Sequence, residues 1–304
     1  MVNNVKFQPK GIIPAMITPM NKNGDVDEKG IVTVLDHLLA GGVHGIFVSG
    51  SQGEFWALTE SEKKLLFEKT VEIVNGKVPV YAGTGAISTN EVISLTRMAM
   101  DIGVDAASII TPYFIKPNEN ELFNHYREVA NRVDMPLLVY SNPGRTNVPI
   151  SPSMMERLHR ECSNIVGIKD SSGDLTITGE YIDRCGKDFS VLAGRDTLIL
   201  ATLLYGGQGG IAACGNVVPR LVVKIYESYI SGDLEGALDA QRRLAPLRHA
   251  FSLGTFPVVI KEAMNLMGFS VGECRNPITK QSISSGNLEI LKTTLKNLGV
   301  ELQN

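Results

Sequence analysis

This sequence of 304 residues has few cysteines, a small net charge and no long apolar run. Its 4 cysteines are scattered, without a CxxC pair or clustered histidines, which argues against a disulfide framework and a structural zinc site. The 29 Lys and Arg residues do not exceed the 32 Asp and Glu residues, so the basic surplus typical of nucleic-acid binding is missing. No apolar stretch approaches the roughly 20 residues that a membrane-spanning helix needs.

The first residues of the sequence also lack the apolar core and small-residue cleavage site of a secretory signal peptide. Apolar residues make up 43% of the chain and charged residues 20%, which is typical of a folded globular protein and excludes a disordered one. The sequence therefore predicts a reduced, cytoplasmic protein that binds neither nucleic acid nor a membrane.

Eight short runs of apolar and β-branched residues alternate with amphipathic segments. An apolar run without polar alternation is typical of a strand buried on both faces, as in a parallel sheet. The predicted strands are Gly11–Met20, Gly45–Gly50, Val78–Gly83, Ala106–Thr111, Met135–Asn142, Ile165–Asp170, Ser190–Gly194 and Gly210–Cys214. Repeated strand–helix units of this number predict an α/β fold, the TIM (β/α)8 barrel. A doubly wound open sheet is the alternative, but its glycine-rich turn is missing after the first strand.

The barrel pattern accounts for residues 1–231. The remaining residues, 232–304, have the pattern of helices, predicted at Asp233–Leu247, Pro257–Met267 and Leu288–Leu298. No Ser/Pro-rich linker or charge run separates them from the barrel. We therefore expect a catalytic barrel with a C-terminal helical extension packed on it.

Two of the predicted strands end in side chains that can perform chemistry, and active sites of such barrels lie at these strand ends. Lys169 closes the sixth run, where burial disfavours the ammonium form and leaves an amine that can form a Schiff base. Tyr140 ends the fifth run, where its phenol can transfer protons. The structural alternatives are a solvated Lys169 paired with Asp170 and a tyrosine that merely packs in the core.

Two further strand ends carry groups that suit a carboxylate. The turn at Gly50–Gly53 presents backbone N–H groups and the hydroxyl of Ser51, which can relay a proton, although glycine-rich turns are common after strands. Arg145 lies in a loop held by proline and glycine, and its planar guanidinium matches a carboxylate. A surface arginine without a ligand is the alternative.

Four motifs, in this order and spacing, resemble the dihydrodipicolinate synthase/N-acetylneuraminate lyase family of class I (Schiff-base) aldolases. The resemblance covers almost the whole chain, and its motifs are GSQGE at Gly50–Glu54, YSNPGRT at Tyr140–Thr146, GIKDSSG at Gly167–Gly173 and AGRD at Ala193–Asp196. It implies that Lys169 forms a Schiff base with pyruvate or a related 2-keto acid. It also implies that Tyr140 shuttles protons and that Ser51 belongs to the proton relay.

The same resemblance assigns the substrate-binding positions. The backbone amides of Ser51 and Gln52 match the cradle for the pyruvate carboxylate. Arg145 matches the arginine that binds the carboxylate of aspartate semialdehyde, and Gly194 and Ile211 match positions that line the pocket. The family implies neither a metal nor an organic cofactor, and it implies a homotetramer built as a dimer of dimers.

Two departures leave the aldehyde substrate open. Synthases of the family have Thr-Thr where this chain has Ser51-Gln52, and Phe114 stands where their relay uses a tyrosine. The amide of Gln52 offers both a donor and an acceptor to a hydroxylated partner. We expect a dihydrodipicolinate synthase-like lyase acting on pyruvate and aspartate semialdehyde. The alternative is a 2-keto-3-deoxy sugar-acid or 4-hydroxy-2-oxoglutarate-type aldolase or dehydratase, and a non-catalytic keto-acid-binding barrel is the remote one.

Overall fold

Eight parallel strands form the centre of the computed structural model, which describes residues 7–303. They are β1 (Gly11–Pro14), β2 (Ile46–Val48), β3 (Val80–Gly83), β4 (Ala106–Ile110), β5 (Leu137–Ser141), β6 (Ile165–Asp170), β7 (Ser190–Ala193) and β8 (Gly209–Ala212). The strands are hydrogen-bonded in the order β1-β8-β7-β6-β5-β4-β3-β2. A parallel bridge between Ala15 and Phe47 joins the two end strands, so the sheet is nearly closed. The predicted (β/α)8 barrel is confirmed.

Helices cover the outside of the strands and continue beyond the last of them. In residues 7–303 they are α1 (Glu28–Ala40), α2 (Glu60–Val74), α3 (Thr89–Ile102), α4 (Glu119–Arg132), α5 (Pro143–Thr146), α6 (Pro152–Glu161), α7 (Leu175–Cys185), α8 (Ile199–Leu204), α9 (Pro219–Ile230), α10 (Leu234–Ala250), α11 (Val258–Leu266) and α12 (Ser285–Asn297). The last three overlap the three helices predicted after the barrel. None of these helices combines the length and apolar character needed to cross a membrane.

Several helices begin at side chains that bind their first N–H groups. Thr59 and Glu62 form a capping box at the start of α2, and Asn118 and Glu121 form another at the start of α4. In both cases the side chain before the helix accepts from the third helical N–H while the glutamate accepts in return. These local signals set where each helix starts after its loop, and hence where each loop projects at the barrel mouth.

The first strand is shorter than the sequence predicts. The apolar run Gly11–Met20 was expected to be one strand, but β1 ends at Pro14. Beyond it, the fully buried side chain of Asn216 donates to the Ala15 carbonyl at 2.8 Å and accepts from the Ile17 N–H at 3.0 Å. At these two backbone groups a side chain takes the place of a neighbouring strand, which a hydrophobic pattern cannot show.

The barrel interior and the shell between strands and helices are separate apolar clusters. The shell is the larger one, and it buries the apolar faces of the helices against the outer faces of the strands. The interior is a small cluster that forms a floor beneath the barrel mouth; its members are Ile13, Ala15, Phe47, Tyr81, Ala106, Leu138, Leu192 and Ile211. Water is excluded from this floor, so polar groups placed just above it are largely desolvated.

A buried histidine on α4 makes the stability of the fold depend on pH. His125 accepts or donates one hydrogen bond, between Nδ1 and the Thr89 hydroxyl at 3.0 Å, and burial lowers its pKa to about 4. The unfolded chain has the ordinary pKa of about 6.5, so it binds a proton that the folded chain rejects as the pH falls from 6.5 towards 4. The stabilisation that the fold gains from a neutral His125 is therefore fully present above pH 6.5 and is lost as the pH falls from about 6.5 to about 4.

We expect wild-type protein to lose about 2 kcal/mol of unfolding free energy through this group between about pH 7.5 and about pH 5. His125→Asn keeps a polar group near Thr89 but does not titrate, so it should lose about 2 kcal/mol less over the same interval. Urea unfolding of both proteins at the two pH values measures the difference. Equal losses in both proteins would show that His125 is not the responsible group.

Candidate active site

The interior side chains change from apolar to reactive at the C-terminal ends of the strands. Side chains alternate along a strand, so Tyr140 lies one layer above the floor residue Leu138, and Gly194 lies one layer above Leu192. On β6 the same upper layer is occupied by Lys169, which pairs in register with Tyr140 on β5. The predicted lysine and tyrosine therefore lie side by side at the mouth.

The Lys169 side chain is surrounded by aromatic rings. Only 4% of it is exposed, and its Nζ lies 4.1 Å from the ring centroid of Tyr140 and 4.9 Å from that of Phe47. In residues 7–303 it forms no ion pair. Asp170, the partner that a structural lysine would use, binds the Thr178 hydroxyl at 2.7 Å instead. The amine is thus buried in the cavity without a neutralising carboxylate.

The phenol of Tyr140 is placed to exchange protons with that amine. The side chain is 5% exposed, and the Asn142 amide donates to its oxygen at 2.9 Å. Burial raises the pKa of the phenol, but the charge of Lys169 and hydrogen bonding by neighbouring polar groups outweigh it, so the pKa of Tyr140 lies below its ordinary value. The hydroxyls acting in this direction belong to Ser171 and Ser51.

The turn after β2 forms the opposite wall. Ser51 and Gln52 are buried there, and in the described chain their backbone N–H groups donate to no protein acceptor. Ser49 and Glu54, at the two ends of the turn, have φ angles of 53° and 56°, a left-handed conformation that costs non-glycine residues free energy. The strained turn thus lines the cavity with two residues whose N–H groups are not used by the described chain, an arrangement that suits a carboxylate.

An ion pair from outside the barrel holds this turn in place. The carboxylate of Glu54 lies 2.6 Å from the Nζ of Lys261 on α11, and each side chain is only 1% exposed. The other oxygen of Glu54 accepts from the backbone N–H of Arg275 at 2.8 Å. The Nζ of Lys261 also donates to the backbone carbonyl of Glu273 at 3.0 Å. The C-terminal segment thereby supports the strained turn beside Ser51 and Gln52.

All of the residues predicted for the site surround one cavity of about 390 Å³. They are Ser51, Gln52, Tyr140, Arg145, Lys169, Gly194 and Ile211. Gly194 is a glycine for a local reason, because a Cβ there would lie 2.0 Å from the Ser171 hydroxyl. Arg145 lies at the mouth, with its guanidinium carbon 3.8 Å from the ring centroid of Phe256. Phe114, in contrast, does not line the cavity and is 93% exposed.

Sequence reasoning missed part of the cavity wall. Arg248 on α10, together with Phe251 and Phe256 in the segment that follows, lines the mouth, and Lys261 supports the turn from behind. Nothing in the local pattern of these residues distinguishes them from helix surface or core. In the part of the chain described by the structure, no cluster of three or more His, Cys, Asp or Glu side chains could hold a metal ion.

Comparison with known proteins identifies the family. Residues 8–298 match the Dihydrodipicolinate synthetase family. The chain belongs to this family. A 4-hydroxy-tetrahydrodipicolinate synthase from Methanoculleus marisnigri is 40% identical over 95% of this chain and 99% of that protein. The protein of the same name from Methanopyrus kandleri is 38% identical over 97% of this chain and 98% of its own length.

Solved structures of the family have the same fold. The dihydrodipicolinate synthase from Aquifex aeolicus aligns with a TM-score of 0.94 at 34% identity, over 97% of this chain and all of that one. A prophage protein of the family from E. coli K12, in complex with pyruvate, aligns with a TM-score of 0.92 at 32% identity, covering 96% of this chain and 99% of that one. The family fold thus extends over nearly all of this chain, including its C-terminal helices.

The Glu54–Lys261 pair leads to a stability prediction. Lys261→Met leaves a buried carboxylate without its counter-charge and should cost about 3–5 kcal/mol of unfolding free energy. Lys280→Met is a matched control, because its pair with Glu273 is exposed and should be worth less than about 1 kcal/mol. Urea unfolding measures both changes. The assignment fails if the two variants lose similar free energy, or if adding Glu54→Gln to Lys261→Met recovers none of the loss.

Proposed function

We propose that this family member is a class I lyase similar to 4-hydroxy-tetrahydrodipicolinate synthase, which joins pyruvate to aspartate semialdehyde. The observation that carries the proposal is the buried amine of Lys169, without a carboxylate partner and beside the phenol of Tyr140. Membership of the family and the names of the relatives support it. The N–H groups of Ser51 and Gln52 in the neighbouring turn, which are free within the described residues, support it as well. A carboxylate in that turn places the keto carbon of the acid within reach of the amine.

The reaction begins with imine formation. The neutral amine of Lys169 attacks the C2 carbonyl of pyruvate, and the resulting carbinolamine loses water, leaving a protonated imine. Tyr140 transfers the protons, since its phenol has a lowered pKa and adjoins the amine. The hydroxyl of Ser51, next to the phenol, assists this transfer. The protonated imine is an electron sink: a C3–H bond breaks, its electron pair forms the C2=C3 double bond, and the C2=N pair moves onto nitrogen. The proton leaves C3, and an enamine remains.

The enamine then makes the new bond. Its C3 attacks the aldehyde carbon, the aldehyde oxygen takes a proton, and water hydrolyses the imine to release the product and the free amine of Lys169. Arg145, at the cavity mouth, binds the carboxylate of the aldehyde in this arrangement. The reverse sequence of steps cleaves the same bond, and the arrangement does not favour one direction.

Covalent trapping tests the first step. Reduction with borohydride in the presence of pyruvate should add one reduced pyruvyl group to Lys169, detectable by mass spectrometry of peptides. Lys169→Ala should abolish the adduct, and Tyr140→Phe should slow turnover by about 10²–10⁴-fold because the proton donor is lost. Lys63→Met, which removes a buried lysine outside the cavity, should leave the adduct unchanged. An unmodified wild-type Lys169 would instead favour a keto-acid-binding barrel without catalysis.

A second candidate is an aldolase or dehydratase acting on 2-keto-3-deoxy sugar acids or 4-hydroxy-2-oxoglutarate. Gln52 is the residue at which it can be separated from the first: 5% exposed and lining the cavity, it has a side-chain oxygen without a hydrogen-bond donor among the described residues. A buried acceptor of this kind gains stability by binding a substrate hydroxyl or ammonium group. Aspartate semialdehyde offers an ammonium group, and the sugar-derived aldehydes offer hydroxyls.

Replacing this side chain separates the two candidates. Gln52→Thr should lower kcat/KM about tenfold for the aldehyde whose hydroxyl or ammonium group binds Oε1, and less for the other. The measurement compares aspartate semialdehyde with glyceraldehyde, each with pyruvate, in wild type and variant. A tenfold loss confined to glyceraldehyde would favour the sugar-derived substrates. Equal values in both proteins would remove Gln52 from the specificity argument.

We also propose that the protein works as a homotetramer, as the family resemblance implies, and in the cytoplasm, as its scattered cysteines and missing signal peptide indicate. Light scattering on the purified protein measures the mass of the assembly. A stable mass of one chain, 33.0 kDa, would contradict the tetramer.

A further inference from the structure

Three arginines line the mouth of the cavity above Lys169, and in residues 7–303 one of them donates hydrogen bonds from its guanidinium to protein acceptors. Arg195 donates from Nε to the Ser171 carbonyl at 3.2 Å and from Nη2 to the Ser172 carbonyl at 3.3 Å. Its guanidinium thus ties the loop after β7 to the loop after β6. The N–H groups of Arg195 that make these two bonds therefore have a structural role.

Arg145 and Arg248 are arranged differently. The guanidinium of Arg145 stacks on Phe256, and that of Arg248 lies 4.9 Å from the ring centroid of Phe251. In the part of the chain that the structure describes, neither guanidinium donates a hydrogen bond to a protein acceptor. Both line the cavity, so their N–H groups remain available to a ligand.

A buried carboxylate orients Arg248. Asp196 is 2% exposed; its Oδ1 accepts from the Cys214 N–H at 2.7 Å, and its Oδ2 lies 3.4 Å from the Nε of Arg248. The amide of Gln241 holds the Asp196 carbonyl at 2.9 Å. Because Asp196 is held on several sides and meets Arg248 at Nε, the two Nη groups of Arg248 are not used by this ion pair.

The two guanidinium groups line one cavity, each against a phenylalanine ring of the segment after α10. Burial lowers the pKa of Arg145, the charge of Arg248 lowers it further, and Tyr140 opposes both effects. Asp196 balances the charge of Arg248, but Arg145 has no carboxylate partner in residues 7–303, so the two guanidinium groups keep a net positive charge that a bound anion would balance. A carboxylate meets this requirement well, since its two oxygens can accept from two guanidinium groups at once.

We propose that Arg248 is a second specificity-determining residue, which binds, together with Arg145, the carboxylate of the aldehyde substrate. The inference rests on the proposed function, because the aldehyde reacts only with the enamine formed on Lys169. It narrows the substrate to an aldehyde that carries an acid group distant from its carbonyl carbon. The adduct on the enzyme then has two carboxylates, one at the turn containing Ser51 and one at the arginine pair.

An aldehyde panel tests the proposal. Wild type and Arg248→Gln are assayed with pyruvate and one of three aldehydes: succinic semialdehyde, glyceraldehyde 3-phosphate or uncharged glyceraldehyde. Loss of a charged hydrogen-bond donor should raise the KM for succinic semialdehyde about 10–100-fold in the variant. The KM for glyceraldehyde, which has no carboxylate, should rise by a much smaller factor, and the borohydride adduct with pyruvate should still form because it precedes aldehyde binding. Arg243→Gln is the matched control, since Arg243 lies on the same helix but is exposed and pairs with Asp239.

Two further variants separate binding from structure. Arg248→Lys keeps a positive charge beside Asp196 but loses the planar fork, so it should fold normally and raise the KM for succinic semialdehyde by a smaller factor. A double-mutant cycle compares Arg145→Gln, Arg248→Gln and the double variant. If both residues bind the same carboxylate, their effects are coupled. The change in kcat/KM of the double variant should then differ from the product of the single changes by more than about threefold.

The outcomes distinguish this inference from the proposed function. Absence of a pyruvate adduct in the wild type would overturn the proposed function. A normal adduct, together with an unchanged KM for succinic semialdehyde in Arg248→Gln and Arg248→Lys, would overturn only the role of Arg248. Equal losses with charged and uncharged aldehydes, or independent effects in the cycle, would overturn it as well. A wild-type preference for glyceraldehyde 3-phosphate that the variant loses would assign the pair to phosphate and overturn the carboxylate.

Discussion

The position of the reactive amine depends on one irregularity in the barrel wall. Leu137 of β5 pairs with Ile165 of β6, but Leu138 pairs with Gly167, so β6 carries one extra residue, a β-bulge. Ile165 packs outward among the helices. Because side chains alternate, an uninterrupted strand would point Lys169 to the same outer face. The bulge reverses the alternation and turns the amine into the barrel, where the aromatic rings and the cavity are. Every chemical step proposed for this protein requires that reversal.

The strands alone would supply an amine and a phenol but not a complete site. The turn containing Ser51 is strained at both ends, and a conformation of this kind persists only where the surroundings over-determine it. Lys261 of α11 provides that constraint through Glu54, in a region from which water is excluded. The segment around Phe256 covers the mouth from the same side. The helices after the barrel therefore contribute to the proposed site, since they hold the turn that is proposed to bind a carboxylate and form part of the cavity wall.

Much of this arrangement could be predicted from the sequence, for a physical reason. Strands buried on both faces produce unbroken apolar runs, and parallel strands bring their C-terminal ends together, so Tyr140 and Lys169 could be assigned to one site from local patterns. The assignment of Gly194 needed the family resemblance. The bulge could not be predicted, because the apolar run around it is equally compatible with a regular strand. Arg248 could not be predicted either. It lies on an amphipathic helix, and only the packing of that helix against the loop with Asp196 brings it to the cavity.

The charges of the cavity lining explain why the two parts of the site act together. Its lining carries four permanent or titratable cations, Lys169, Arg145, Arg195 and Arg248, against a single carboxylate, Asp196. In a region of low polarity this excess stabilises the phenolate form of the neighbouring tyrosine and attracts anionic substrates. In the proposed reaction, an acid group bound at the mouth, far from the bond that changes, orients the aldehyde carbon over the enamine and converts remote binding energy into alignment at the reacting atoms. A neutral aldehyde would enter the same cavity but would lack that alignment. Discrimination against it would therefore lower the rate of bond formation as well as the affinity.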